Sequence, residues 1–170
     1  MGDATTPCAL VVMGVSGSGK STIAERLAAR LGWRCEDGDK YHPPANVAKM
    51  SAGYPLTDED RWPWLQAIAD EIDRTCTQGE RAVVACSALK RRYRQRLSGG
   101  HADVRFAYLE GSFDTIAARL ARRTGHYMPL SLLESQFAAL EAPGADEDSI
   151  VVSAERPAEA LVEEVVARFS

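Results

Sequence analysis

Gly14-Val15-Ser16-Gly17-Ser18-Gly19-Lys20-Ser21 completes the pattern G-x-x-x-x-G-K-[ST], directly after the apolar run Ala9-Leu10-Val11-Val12-Met13. Glycines let a backbone curl close to a polyphosphate, so that successive N–H groups point at its oxygens. Lys20 brings a cation to the β- and γ-phosphates, and the Ser21 hydroxyl suits Mg²⁺. The preceding run reads as a buried parallel strand, and Ser21 to Leu31 as a helix with Ile23, Leu27 and Leu31 on one stripe, stopped by Gly32. Strand, glycine loop and helix in that order bring a helix N-terminus to the anion. A glycine-rich turn with an incidental lysine is the alternative, and the flanking elements disfavour it. The candidate nucleotide contacts run from Gly14, Val15, Ser16, Gly17, Ser18, Gly19, Lys20 and Ser21 into Thr22.

The 170 residues are most simply one domain, able to bury roughly two thirds of the unfolded surface. With 45% apolar and 26% charged residues the composition is that of a soluble globule, and no run nears the ~18 apolar residues of a membrane helix. Met1 to Pro7 is polar and lacks the basic and apolar regions of a signal peptide, so a cytoplasmic protein is expected. Cys8, Cys35, Cys76 and Cys86 form no C-x-x-C pair and have no histidine at ligand spacing; four reduced thiols are expected. The net charge of −4 argues against a general nucleic-acid binder. It conceals a local run, Lys90-Arg91-Arg92-Tyr93-Arg94-Gln95-Arg96, which reads either as a solvated helix face or as a source of anion ligands.

Apolar, β-branched runs alternate with helical patterns. Strands are predicted at 9–13, 34–36, 82–86, 104–109 and 149–152, and helices at 21–31, 58–77, 89–97, 113–123, 130–141 and 157–169. This alternation predicts an α/β fold with a parallel five-stranded sheet and helices on both faces. Thr57 followed by Asp58-Glu59-Asp60 caps the long helix, with Pro63 in its first turns. Two stretches exceed minimal crossovers: 39–57, rich in Pro and Gly, and the segment around 124–131, where a lid is expected.

Asp37-Gly38-Asp39 follows the second strand. Extended, it turns both carboxylates the same way, one toward Mg²⁺ and the other toward a substrate hydroxyl; the alternative is an Asp-Gly turn. His42 is either a ligand contact or a hydrogen-bonding strut, and Lys49, Asp60 and Arg61 are either contacts or surface residues. Arg119, Arg122 and Arg123 end the helix before the expected lid, where an arginine stabilises a transferring phosphoryl group or merely complements the helix dipole. The strand at 82–86 ends in Cys86-Ser87, where many ATP-hydrolysing motors carry an acidic pair. That points toward a phosphotransferase whose acceptor hydroxyl replaces water.

Taken together, MGVSGSGKS (13–21), DGD-x-x-HP (37–43), N-x-x-KM-x-x-G-x-PL (46–56), D-x-DR-x-PWL (58–65), CSALK (86–90), Tyr93-Arg94, GHY (125–127) and SQF-x-x-LE-x-P (135–143) resemble the bacterial gluconokinases over nearly the whole chain. The resemblance implies a P-loop fold similar to nucleoside monophosphate and shikimate kinases. It also implies a homodimer and MgATP-dependent phosphorylation of D-gluconate at the 6-hydroxyl. By similarity Lys20, Asp39 and Arg123 are catalytic, Ser21 and Asp37 hold the metal, and Arg119 lies near ATP. Asp39, His42, Lys49, Arg61, Lys90, Arg94, His126 and Gln136 are then the gluconate contacts. The rival readings are a shikimate- or nucleotide-type kinase, and a non-catalytic ATP- or RNA-binding module.

Overall fold

The computed structural model describes residues 6–101, 103–122 and 129–168. Strands β1 (Ala9–Met13), β2 (Arg34–Asp37), β3 (Ala82–Ala85), β4 (Val104–Glu110) and β5 (Ile150–Ser153) form one five-stranded sheet in the order β2-β3-β1-β4-β5. Every pair is parallel. Parallel neighbours need crossovers, and these contain α1 (Lys20–Leu31), α2 (Pro44–Ser51), α3 (Asp58–Thr77), α4 (Arg91–Ser98), α5 (Phe113–Arg122) and α6 (Leu130–Ala139), while α7 (Ala158–Ala167) follows the last strand.

The sheet is covered on both faces, which is why β1 is apolar at every position. Ala9, Val11 and Met13 pack with Leu65, Ile68 and Ile72 of α3, Tyr93 and Leu97 of α4, Ile116 of α5 and Leu133 of α6. Leu10 and Val12 face the other way, onto Ile23 and Leu27 of α1 and Leu161 and Val165 of α7. The carboxyl ends of β1, β2 and β3 therefore lie along one edge. The loop 14–19, the Asp37-Gly38-Asp39 segment and Cys86-Ser87 emerge there side by side.

Helix α3 begins as its sequence requires: Thr57 accepts from the Asp60 N–H, and the Asp60 carboxylate accepts from the Thr57 N–H, a reciprocal capping box. Most bounds agree with the periodicity to within a residue or two. The main difference is α2, which occupies part of the stretch expected to be loop. Pro43 and Pro44 read as turn residues, yet Pro44 falls in the first helical turn, where proline sacrifices no hydrogen bond. Helix α4 starts at Arg91 rather than at residue 89, because Leu89 is drawn into the core and Lys90 is extended.

The expectation of four thiols is corrected. Cys8 and Cys76 form a disulfide between the foot of β1 and the last turn of α3, with Cα atoms 5.3 Å apart and a sequence separation of 68. The pairing comes from packing α3 on the sheet, which no local spacing reveals. Cys35 is an exposed free thiol and Cys86 a buried one. Among the described residues no helix is long and apolar enough to cross a membrane.

Candidate active site

The phosphate loop leaves β1 at Gly14, whose N–H donates to the Ser87 carbonyl at 3.2 Å, tying the loop to the end of β3. The Ser18 N–H donates to the Val15 carbonyl at 3.2 Å, and Lys20 Nζ reaches the same carbonyl at 3.0 Å, folding the lysine back over the loop. Gly17 has φ 84°, and a Cβ there would meet Leu120 Cγ at 2.8 Å, so the turn tolerates no side chain. Ser18 is 2% exposed, and its Oγ has no hydrogen-bond partner among the described residues. An orphan hydroxyl of that kind fits a loop shaped for a ligand's oxygens.

The acceptor side is built around Gly38. A Cβ at Gly38 would lie 2.6 Å from the Ala85 carbonyl oxygen, so only glycine lets the segment press against the end of β3. The Trp64 indole donates to the Gly38 carbonyl at 2.8 Å, and His42 stacks on Trp64 with ring centroids 4.1 Å apart. Asp37 Oδ1 accepts from the Asp39 N–H at 3.0 Å and caps a short 3₁₀ turn, Gly38–Tyr41. Asp37 Oδ2 accepts from Ser21 Oγ at 3.3 Å. Asp37-Gly38-Asp39 is thus a turn rather than an extended segment, and it brings the Asp37 carboxylate to Ser21 while Asp39 lines the cleft.

That cleft brings Ser16 and Lys20 together with Asp39, His42, Arg61, Trp64, Ser87, Ser135 and Gln136. It continues into a pocket of about 360 Å³ bordered by Asp58, Arg61, Lys90 and Ser135. The cations around it are held in place. Lys49 pairs with Asp60 at 2.6 Å, Lys90 with Asp58 at 3.1 Å, and Arg61 Nη1 donates to the Tyr93 hydroxyl at 2.9 Å. The Tyr93 hydroxyl in turn donates to Asp58. Asp58 sits below the usual carboxylate range, chiefly through that hydrogen bond. Burial pushes the His42 imidazole below its ordinary pKa, so it is neutral at pH 7; Arg61 adds to the effect and Asp39 opposes it.

Arg94, expected as a contact, does not reach the cleft. Arg94 is 2% exposed and turned inward, with Nε and Nη2 on the Glu147 carboxylate at 2.7 and 3.1 Å and Nη1 on the Ala88 and Leu89 carbonyls. A buried guanidinium must find a carboxylate, and here it fastens the loop after β3 to the chain near β5. Arg91 and Arg92 pair with Asp146 and Asp58, so the basic run is largely neutralised, as a solvated face would be. Arg119 donates to the Ala154 carbonyl beyond β5. Arg123, His126 and most of the expected lid lie outside the described residues.

Sequence reasoning missed Trp64, Ser87 and Tyr93 as parts of the site. Each stands beside a motif residue, but its task depends on a neighbour across the fold. Of the other expected contacts, Asp39, His42 and Gln136 line the cleft, whereas Lys49 lies outside its lining, held by Asp60.

A parallel sheet of order 2-3-1-4-5, a phosphate loop on its central strand and an acid-bearing cleft beside that loop define a P-loop kinase of small molecules. Residues 10–143 match the AAA domain family, and the chain is 52% identical over 163 residues to the gluconokinase of Gluconobacter oxydans, covering 96% of this chain and 92% of that protein. The chain belongs to the gluconokinase family. A crystal structure of a gluconokinase from Sinorhizobium meliloti superposes with a TM-score of 0.88 at 44% identity, covering 96% of this chain and 92% of that one. Shikimate kinase from Aquifex aeolicus, 16% identical with a TM-score of 0.64 over 94% of this chain and 95% of its own, shares the fold.

Proposed function

We propose that this chain transfers the γ-phosphoryl group of ATP to the 6-hydroxyl of D-gluconate, giving 6-phosphogluconate and ADP. The observation that carries this reading is the single cleft in which Ser16 and Lys20 of the phosphate loop stand beside Asp39, His42 and Arg61. Gluconate is a polyol with a carboxylate, so it needs cations at one end and hydrogen-bonding groups along its length. On this reading Arg61 and Lys90, which border the pocket, take the carboxylate, and Asp39 and His42, which line the cleft, take hydroxyls.

In the reaction the acceptor oxygen bonds to phosphorus as the bond from phosphorus to the β,γ-bridging oxygen breaks, and the hydroxyl proton passes to Asp39. Lys20 meets the negative charge on the phosphate oxygens, and the loop N–H groups hold the donor in line. His42 Nδ1 is 3.3 Å from the Asn46 side-chain nitrogen, which leaves Nε2 for a substrate hydroxyl. Ser21 and Asp37 offer a hydroxyl and a carboxylate oxygen, the hard donors Mg²⁺ takes when phosphates complete its shell, and would hold it. A cation held by these two oxygens would supply neutralisation of charge on the β- and γ-phosphates. Assembly as a homodimer and a cytoplasmic location complete the proposal.

ADP release is measured with MgATP and, in turn, gluconate, shikimate, glucose, AMP and CMP. Turnover on gluconate alone is expected; turnover on another acceptor with none on gluconate overturns the assignment. Light scattering reads the assembly.

A further inference from the structure

Helix α6 reaches the phosphate loop through one side chain. The Ser16 N–H donates to Gln136 Oε1 at 2.7 Å, and Gln136 Nε2 donates to Ser16 Oγ at 2.9 Å. An amide that accepts from the backbone and donates to the hydroxyl of one residue fixes that residue's peptide and its rotamer together. Both bonds are partly buried, where water competes less for them. Ser16 is the residue immediately before the Gly17 turn, on the stretch of loop that also lines the acceptor cleft.

The helix behind the amide is itself anchored. Leu133 is fully buried in the core, and Phe137 packs edge-on against Phe113 of α5. Gln136 therefore ties α6 to a loop that is also bonded to Ser87 after β3 and lies close to Leu120 and Ile116 of α5. The family resemblance assigns Gln136 to gluconate, but its two hydrogen bonds both go to the donor side.

We infer that Gln136 is a positioning residue for the nucleotide: it holds the Ser16 corner of the phosphate loop in the shape that receives the terminal phosphate. This deepens the proposed phosphotransfer and rests on it for the choice of substrates. Removing the amide leaves a loop that must be ordered at the moment of binding, so the loss falls on donor affinity.

Gln136→Leu keeps most of the volume and removes both bonds, whereas Ser16→Ala removes only the bond to the hydroxyl. Calorimetric titration with a non-hydrolysable ATP analogue is expected to show affinity about 10-fold weaker in Gln136→Leu and about 3-fold weaker in Ser16→Ala. The double variant should be no weaker than Gln136→Leu alone, because the two residues act as one unit. KM for ATP should rise with the analogue Kd, while KM for gluconate stays within about 2-fold. Unchanged analogue affinity in a Gln136→Leu protein that folds, a rise confined to the gluconate KM, or simple additivity of the two variants overturns the inference. If the wild-type protein fails to turn over gluconate, the proposed function falls, while the analogue titration still tests the role of Gln136.

Discussion

Ser21 Oγ donates to Asp37 Oδ2 at 3.3 Å, joining the first turn of α1 to the end of β2. The contact puts a hydroxyl from the nucleotide loop and a carboxylate from the acceptor side at one point. Removing either oxygen should weaken the metal requirement's fulfilment more than the fold. Asp37→Asn and Ser21→Ala are each expected to shift the Mg²⁺ concentration for half-maximal activity upward by about 10-fold or more, as loss of a ligand at a metal site does. A Mg²⁺ titration at fixed ATP that overlays the wild-type curve removes both residues from the metal site.

Asp39 is expected to act in chemistry rather than in nucleotide binding. Asp39→Asn should lower kcat by about 10²- to 10⁴-fold, the range for a lost general base, with the Kd of an ATP analogue within about 2-fold of wild type. A parallel loss of analogue affinity would place Asp39 on the donor side instead.

Gly38 is a packing requirement. A methyl group 2.6 Å from the Ala85 carbonyl has to push the turn off β3, so Gly38→Ala is expected to cost about 1–3 kcal/mol and lower Tm by roughly 2–10 °C. Because Trp64 and Asp39 are both placed by this turn, kcat/KM for gluconate should fall further than affinity for an ATP analogue. A variant with wild-type Tm and kcat/KM would show that the turn has room to move.

The cysteines separate cleanly under alkylation. In the native, unreduced protein the exposed Cys35 should be modified, while Cys86, whose thiol burial pushes up to about 12, should not. Cys8 and Cys76 should react only after reduction. Cutting a bond that closes a loop of this length, with dithiothreitol or by Cys76→Ser, is expected to remove about 2–4 kcal/mol and lower Tm by roughly 5–15 °C, with activity below Tm unchanged. Differential alkylation read by mass spectrometry checks the pairing, and thermal melts check the energy.

Asp60 carries a pH dependence of defined sign. The Lys49 ammonium, with the Thr57 cap behind it, lowers its pKa from 3.8 to about 2. The carboxylate's contribution to stability is therefore present above pH 3.8 and is lost as pH falls toward 2. Lys49→Met should move the Asp60 titration, followed by NMR of the carboxyl carbon, back toward 3.8. The stability gap between wild type and variant should close as pH drops through that window. A titration unmoved by the substitution would leave the Thr57 cap as the sole cause.

How much of this was legible depended on how far apart the interacting residues lie in the chain. Lys20 and Ser21 are read from eight consecutive residues, because the loop, the strand before it and the helix after it are one continuous segment whose local geometry makes the site. The capping box at Thr57 and Asp60 is legible for the same reason, both partners lying within one helical turn. Arg94 was not. The run from Lys90 to Arg96 reads as a row of cations, and only the packing of α4 decides that Arg94 faces inward to Glu147 while Arg91 and Arg92 stay outside.

By itself the sequence determined the parallel α/β architecture, the phosphate loop and, through its motifs, membership of a kinase family. Hydrophobic periodicity and glycine placement act over a few residues and survive in one dimension. Only the tertiary structure decided that Gly38 must lack a side chain to meet β3, that Cys8 reaches Cys76, and that Gln136 takes hold of Ser16. Those relations join residues far apart in the chain, where close packing and the need to pair buried polar groups choose the partner.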